Sequence, residues 1–229
     1  MPARLVISLA WLTALHIAVI GAGFFAPYDD AKQNRTMPFA PPTRVYFVDE
    51  QGEWYWRPFV CLWAPRPDGL TGYVEDCSRR FPLRFFVSGA RHSFAGVLES
   101  QRHLFGIEKP AVIYLMGTDK YGRDQFSRFL HGGQVSLLAG VLACAVSLSV
   151  SLLLGIMAGF YGNWIDEVIM SLSELFLGLP WLYLLFAVRA FLPLHMDPSA
   201  AFLLVVTLIG LLGWARPARL IRGVVLSGR

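Results

Sequence analysis

Charged residues are scarce in this chain of 229 residues, of which 16% are charged and 55% are hydrophobic. Soluble domains carry about 25% charged residues. Residues 5–25 and residues 129–165 contain no Asp, Glu, Lys or Arg at all. Because about 20 apolar residues in a helix cross the hydrocarbon core of a bilayer, both stretches predict membrane spans. The composition therefore favours a membrane protein over a soluble one.

Lysine is especially rare, and its positions exclude a common nucleotide site. The lysines are Lys32, Lys109 and Lys120, and none follows the glycine-rich pattern of a phosphate-binding loop. No Ser/His/Asp or Cys/His set occurs at motif spacing either. We therefore expect that the chain is not an enzyme and does not itself hydrolyse ATP.

The chain has three cysteines, without C-x-x-C spacing or a nearby histidine cluster. This pattern does not predict a zinc site, and we expect neither a metal nor another cofactor. Cys61 and Cys77 lie in a polar segment, where a disulfide between them is chemically allowed if the segment is periplasmic. Two free thiols are the alternative.

The charges concentrate in residues 26–133, which hold 14 of the 20 Lys and Arg residues and 12 of the 16 Asp and Glu residues. Because both signs are mixed there, the sequence shows no basic stripe and predicts no nucleic-acid binding. Residues 43–48 and 54–60 are rich in aromatic and β-branched residues on either side of a turn at residues 49–52, which predicts a β-hairpin. Residues 81–87 predict another strand.

Four apolar runs predict an all-α polytopic membrane protein with four transmembrane helices and a large periplasmic insert that has some β-structure. The predicted spans are residues 5–25, 135–160, 168–191 and 199–215. A cleaved signal peptide is the alternative for the first span, but the apolar run exceeds the usual length of about 7–15 residues. The predicted divisions are a first transmembrane helix (1–25), the insert (26–115), a collar (116–134) and the remaining helices with the cytoplasmic end (135–229).

Arginines at the ends of the spans predict the orientation. Arg4 precedes the first span, and Arg216, Arg219 and Arg222 follow the fourth at helical spacing. Four spans place both termini on one side, and Lys and Arg accumulate on the cytoplasmic side, so we expect both termini to be cytoplasmic. The turn at residues 161–166 is predicted to be cytoplasmic but has no Lys or Arg, which is an observation against this orientation.

The collar contains the most informative motif, G-T-D-x-x-G-R-D-x-x-S-R over residues 117–128. Gly117 and Gly122 allow a turn, and Asp119 can cap the start of a helix. Two interpretations stay open, an interfacial helix that starts the second span or a gate. The candidate residues are Gly117, Thr118, Asp119, Gly122, Arg123, Asp124, Ser127 and Arg128.

This motif closely resembles the segment before the second span in the permease subunits of bacterial dipeptide, oligopeptide and nickel importers of the ATP-binding-cassette (ABC) class. Residues 155–166, G-I-M-A-G-F-Y-G-N-W-I-D, are similar to the family's G-x-x-A-G-Y-x-G-G-W-x-D, with Asn163 in place of a glycine. Residues 213–223, G-W-A-R-P-A-R-L-I-R-G, are similar to G-W-x-x-Y-A-R-x-x-R-G. The resemblance extends from about residue 116 to the end of the chain.

The resemblance implies a multi-pass permease subunit in the bacterial inner membrane, forming part of the pathway for peptides or similar small solutes. The partners that it implies are a second permease subunit, two ATP-binding-cassette ATPase subunits and a periplasmic solute-binding protein, besides membrane lipid. In this family a cytoplasmic coupling loop follows the fourth span, whereas the sequence ends at Arg229. We therefore expect a partial permease core truncated before that loop, as a truncated reading frame, a fragment or a diverged relative.

Ionisable residues in the predicted spans are further candidates. Glu174 lies eight residues after Asp166, about 12 Å along a helix, where a carboxylate is costly and should face protein or water. It either lines the pathway or pairs with an arginine of a neighbouring helix. Arg216, Arg219 and Arg222, near the coupling region, either extend the helix or contact anionic lipid.

Two other classes of function compete with a permease. In the first, a non-transporting membrane protein presents its insert as a periplasmic interaction module, which the missing coupling loop favours and the intact collar opposes. The second is a membrane enzyme, for which the sequence offers no acid–base pair.

Overall fold

The computed structural model describes residues 3–66, 72–94, 98–180, 183, 186–188, 190 and 195–228. The chain divides into two compact units, Met1–Val135 and Ser136–Arg229. One long helix begins in the first unit and continues into the second.

The first unit begins with two helices separated by a glycine. Helix α1 covers Ala3–Ile20, and helix α2 covers Ala22–Phe25. A Cβ added to Gly21 would lie 2.8 Å from the Phe25 ring, so a side chain at the break between the helices would crowd that ring. Most apolar side chains of α1 are exposed, as expected of a helix that is surrounded by hydrocarbon.

Five strands in two antiparallel sheets follow these helices. The strands are β1 (Tyr46–Val48), β2 (Trp54–Pro65), β3 (Tyr73–Pro82), β4 (Arg84–Phe94) and β5 (Leu98–Gly106). The first three form one sheet in the order β1-β2-β3, and β4 pairs with β5 in the other.

The predicted hairpin is confirmed, because Tyr46 lies opposite Phe59 and Val48 opposite Trp54. The single strand predicted over residues 81–87 is wrong. Pro82 is the last residue of β3, and the next strand starts at Arg84 in the other sheet.

The apolar core of the first unit joins the strands to the segment that precedes the collar. Its buried members are Val60, Phe81, Leu83, Ala111 and Ile113. Cys61 on β2 and Cys77 on β3 form a disulfide, and Cys61 itself is 3% exposed. Of the two alternatives left open by the sequence, the structure therefore contains the disulfide.

The second unit consists of helices. Helix α3 covers Gln125–Tyr161, and after it come α4 (Asn163–Gly178), α5 (Pro198–Leu212) and α6 (Ala215–Ser227). Its core contains the buried residues Ala158, Ile169, Trp214, Ala215 and Ala218. Residues of α3, α4 and the start of α6 thus pack together.

The predicted fold class, all-α with four transmembrane helices, is wrong. The two sheets make the chain a mixed protein of helices and strands. Within the described residues, two helices, α1 and α3, are long and apolar enough to cross a membrane. A third candidate arises only if α5 and α6, which are bent by 42° at their junction, count as one span.

Helix length and charge explain why, within the described residues, neither α4 nor α5 alone is a candidate span. Helix α4 has 16 residues, includes Glu174, and ends at Gly178, where Leu179 adopts extended dihedral angles (φ −76°, ψ 130°) because it precedes Pro180. The rest of the span predicted over residues 168–191 lies partly outside the described residues. Helix α5 has 15 residues, or about 22 Å, which is short for a hydrocarbon core of about 30 Å.

Candidate functional site

Two groups of polar side chains are candidate sites, and the collar is the first. It turns at Gly117 and Gly122, whose φ angles are +74° and +71°, a region that favours glycine. A Cβ on Gly122 would lie only 1.8 Å from the backbone oxygen of Asn34. The glycine thus allows the collar to lie directly against the segment that follows α2.

Thr118 attaches the collar to the same segment. Its hydroxyl donates to the backbone oxygen of Met37 over 2.7 Å and accepts from the backbone N–H of Ala40 over 2.7 Å. Its own N–H donates to the backbone oxygen of Ala40. The turn is therefore held by three hydrogen bonds from one residue.

Asp119 is the charged centre of the collar. Its carboxylate accepts from the backbone N–H groups of Tyr121 (2.8 Å) and Arg123 (3.0 Å). It also accepts from the guanidinium groups of Arg123 and Arg128, each over 2.8 Å. Burial opposes ionisation, but the hydrogen bonds from Arg123 and Tyr121 outweigh it, and the pKa of Asp119 lies below its ordinary value.

Asp124 starts helix α3. Its Oδ2 accepts from the backbone N–H of Ser127 over 2.9 Å and from the Ser127 hydroxyl over 2.5 Å, which is the geometry of an N-terminal cap. Only 2% of Asp124 is exposed, and burial raises the pKa of its carboxyl, against the effect of the bonds from Ser127. The backbone N–H of Tyr28 donates to the Ser127 hydroxyl, so this cap also contacts the segment that follows α2.

The structure thus brings all eight collar candidates into one turn and the first turn of α3. Their charged and hydroxyl groups bond to one another and to the backbone, an arrangement that fixes where α3 begins. A gating role for these residues stays a prediction.

The second group lies between α4 and α6. The guanidinium of Arg222 hydrogen-bonds with both carboxylate oxygens of Asp166. One turn of α6 earlier, Arg219 donates through Nε to the Ser173 hydroxyl over 2.7 Å. Arg219 Nη2 also lies 3.2 Å from Glu174 Oε1, although that contact lacks hydrogen-bond geometry.

The residues of this second group differ in how far they are exposed to solvent. The Glu174 side chain is 73% exposed, so its ion pair contributes little, as is usual for exposed pairs. Ser173 is fully buried. Arg216 is exposed and lines a cavity of about 450 Å³ with residues of α4 and α5, among them Phe176 and Ile209.

Helix α6 also packs closely on α3 at two glycines. A Cβ on Gly155 would lie 2.7 Å from the backbone oxygen of Ala218, and one on Gly159 would lie 2.7 Å from the Val225 side chain. Gly155 and Gly159 form a G-x-x-x-G pattern, which permits close approach of helices in membranes. The three contacts, Asp166–Arg222, Ser173–Arg219 and the glycine pair, hold α6 against α3 and α4.

Sequence reasoning missed Asp166 and Ser173 as site residues. Asp166 and Arg222 are 56 positions apart, and neither position alone indicates its partner. The available signal was the repeat of arginine at Arg219 and Arg222, one helical turn apart, opposite the acids of α4. Among the described residues, no group of three or more His, Cys, Asp or Glu side chains could hold a metal ion.

No family model matches the chain, but individual proteins do. It is 34% identical over 118 residues to the dipeptide transport system permease protein DppC of Bacillus subtilis, covering 52% of this chain and 35% of that protein. It is 33% identical over 119 residues to the glutathione transport system permease protein GsiD of Pectobacterium atrosepticum, covering 52% of this chain and 38% of that protein.

A third relative matches over a shorter segment at higher identity. The di/tripeptide transport system permease protein DppC of Pseudomonas aeruginosa is 44% identical over 79 residues, which are 34% of this chain and 26% of that protein. The matched segments span little more than a third of the relatives' length or less. Over about half of its length, the chain is therefore similar to permease subunits of bacterial dipeptide and glutathione transport systems.

Proposed function

We propose that this chain forms part of the transmembrane pathway of an ABC importer for peptides or similar small solutes. The observation that carries the proposal is its sequence relationship to permease subunits of dipeptide, di/tripeptide and glutathione transport systems. The helices support it, because α3 is apolar and has 37 residues, about 55 Å at ~1.5 Å per residue. That length exceeds the ~30 Å of the hydrocarbon core.

The partners follow from the same proposal. A second permease subunit completes the pathway, two ATPase subunits hydrolyse ATP on the cytoplasmic side, and a periplasmic protein delivers the solute. In such a cycle nucleotide binding shifts the permease between inward-open and outward-open states. Helix α6 is suited to follow such a motion together with α3 and α4, because an ion pair, a hydrogen bond and two glycine contacts join it to them.

The disulfide and the arginines support an orientation with the insert outside the cytoplasm. Disulfides persist in oxidising compartments such as the periplasm, and Cys61–Cys77 lies in the insert. If α3 crosses the membrane, the residues before it and those after it lie on opposite sides. The turn that follows α3 has no Lys or Arg of its own, but Arg222 contacts Asp166 at that turn. The positive charge of α6 therefore lies on the side that the positive-inside rule makes cytoplasmic.

Deletion of the gene in its native host tests the proposal. Uptake of a labelled dipeptide, a labelled tripeptide and glutathione should fall for at least one of them, and a plasmid that encodes the chain should restore it. A plasmid that encodes the chain with Arg222→Gln and Gly155→Leu combined should restore less, because both changes weaken the contacts of α6. Unchanged uptake of all three solutes in the deletion strain would contradict the proposal and favour an interaction module.

A further inference from the structure

The cavity of about 450 Å³ in the second unit lies where α5 and α6 meet at their 42° bend, against the end of α4. Its walls are Phe176, Leu177, Leu179, Ile209, Leu212 and Gly213. The remaining lining residue is Arg216, in the first turn of α6. The cavity therefore places one positive charge beside an apolar surface.

The back of the cavity is fixed by packing, whereas its walls are accessible. The Phe176 ring packs edge-on against the Trp214 ring, with 5.7 Å between centroids, and the backbone oxygen of Trp214 accepts from the Ser151 hydroxyl of α3 over 2.8 Å. By contrast, Leu179 is 40% exposed and Ile209 is 45% exposed. An apolar chain on these walls would cover surface that is otherwise open.

Arg216 differs from the other two arginines of α6. Arg219 bonds to the Ser173 hydroxyl, and Arg222 pairs with Asp166. Within the part of the chain that the structure describes, the exposed Arg216 guanidinium has neither an ion pair nor a hydrogen bond. A guanidinium can donate two parallel hydrogen bonds to a phosphate, so Arg216 can bind an anionic group without breaking an existing contact.

The position of Arg216 along the helices matches the edge of a bilayer. It lies 18 residues after Pro198, where α5 begins, or about 27 Å at ~1.5 Å per residue. The hydrocarbon core is about 30 Å thick. If α5 and α6 form one bent span, the guanidinium of Arg216 reaches the lipid headgroups while Ile209 and Leu212 lie in the hydrocarbon.

We propose that this cavity binds one anionic phospholipid, with its phosphate at Arg216 and an acyl chain along the apolar walls. A free phosphate would use the arginine and leave the walls open. In a zwitterionic lipid, the ammonium group offsets the charge that Arg216 attracts. An anionic lipid uses both parts of the cavity, and it joins the bend between α5 and α6 to the end of α4.

Native mass spectrometry of the purified full-length chain, released from a non-ionic detergent, tests the site by counting bound lipids. The probes are dioleoyl phosphatidylglycerol, dioleoyl phosphatidylcholine and glycerol 3-phosphate, which carries the phosphate without the chains. One phosphatidylglycerol per chain should bind more tightly than any further copy and more tightly than phosphatidylcholine. Glycerol 3-phosphate should not compete, because it cannot cover the apolar walls.

Matched variants separate the charge from the walls. Arg216→Gln should weaken the binding of the first phosphatidylglycerol roughly tenfold, the effect of losing a charged hydrogen bond, and should remove the preference over phosphatidylcholine. Arg4→Gln, at an exposed arginine of the apolar helix α1, should leave that preference in place. Ile209→Trp should weaken the binding of both lipids by filling the cavity, whereas Leu203→Trp, at an exposed position of α5 outside the lining, should not.

Three results would overturn the site. Equal binding of the two lipids would show that the charge is not read, and full competition by glycerol 3-phosphate would show a site for free phosphate. Equal losses in Arg216→Gln and Arg4→Gln would show diffuse attraction of anionic lipid to any basic residue near the membrane. The measurement involves no transport, so its result is independent of the uptake experiment.

Discussion

Arg222 on α6 and Asp166 on α4 form a two-point ion pair, in which Nε and Nη2 of the guanidinium each donate to one carboxylate oxygen. The pair joins two motifs that lie far apart in the sequence. Asp166 lies in the first turn of α4 and Arg222 in the second half of α6. The Asp166 side chain is 20% exposed and that of Arg222 is 32% exposed. Paired planar groups of this kind fix orientation as well as distance, so the contact sets how α6 lies on α4.

Replacing either member of this pair should destabilise the second unit. We expect Asp166→Asn and Arg222→Gln each to lower the free energy of unfolding by about 1.5–3 kcal/mol, the usual effect of losing a charged hydrogen bond. The double variant should lose less than the sum of the two. Thermal denaturation of the purified chain, followed by size-exclusion chromatography, measures the effect. Glu167→Gln, an exposed neighbour, is the control, and a loss equal to that of Asp166→Asn would contradict the role of the pair.

The sequence predicted where the long apolar helices lie better than it predicted where they begin. Charge-free runs located α1 and α3, because an apolar run of about 20 residues or more is typical of a membrane span and rare elsewhere. The predicted span starts at residue 135, and the helix that contains it begins in the collar at Gln125, where the Asp124 carboxylate caps it by accepting from the backbone N–H of Ser127. The sequence predicted that Asp119 caps the helix, but Asp119 accepts from the backbone N–H groups of Tyr121 and Arg123 within the turn. The capping residue is Asp124.

The features that the sequence did not predict depend on contacts between residues that are far apart in the chain. The sequence indicated the hairpin of β1 and β2 because its turn and strands are contiguous, whereas the division of residues 81–87 between two sheets depends on Leu83. Its side chain is buried in the core, and its N–H donates to the backbone oxygen of Pro58. Likewise, Ser173 and Arg219 are 46 positions apart, and no periodicity in either helix identifies the other as its partner.

The glycines of α3 should tolerate substitution according to their contact with α6. Gly155→Ala should destabilise the chain by about 1–3 kcal/mol, because the new Cβ would lie 2.7 Å from a backbone oxygen of α6 and overpacking costs about that much. Gly140→Ala is the matched control on the same helix, because nothing lies within 4 Å of its added Cβ. That variant should be neutral or slightly stabilising, since alanine favours helix more than glycine does. Equal thermal stability of the two variants would show that α6 does not pack there.

Asp119 should make the stability of the collar depend on pH. Its pKa is lowered in the folded chain, so its contribution is fully present above the unfolded value, near 4, and is lost as the pH falls through the lower folded value. Asp119→Asn should remove this acid-sensitive part and should also destabilise the chain at neutral pH, because its ion pairs with Arg123 and Arg128 are lost. Measuring the stability of the wild-type chain and of Asp119→Asn across the range from pH 3 to pH 7 tests this prediction. Asp30→Asn, at an exposed position, should leave the pH profile unchanged; an unchanged profile in Asp119→Asn would refute the prediction.

The orientation of the chain is testable by cysteine labelling in intact cells. The background variant is Cys144→Ser, which removes the exposed free cysteine and leaves the Cys61–Cys77 disulfide in place. Glu50→Cys, in the exposed turn between β1 and β2, should react with a membrane-impermeant maleimide in intact cells, because the proposed orientation places the insert outside the cytoplasm. Ser227→Cys, at the exposed end of α6, should react only after the cells are permeabilised, because the arginines of α6 favour the cytoplasmic side. Labelling of Ser227→Cys in intact cells, with Glu50→Cys protected until lysis, would invert the orientation and would leave the disulfide in a reducing compartment, where disulfides are rarely maintained.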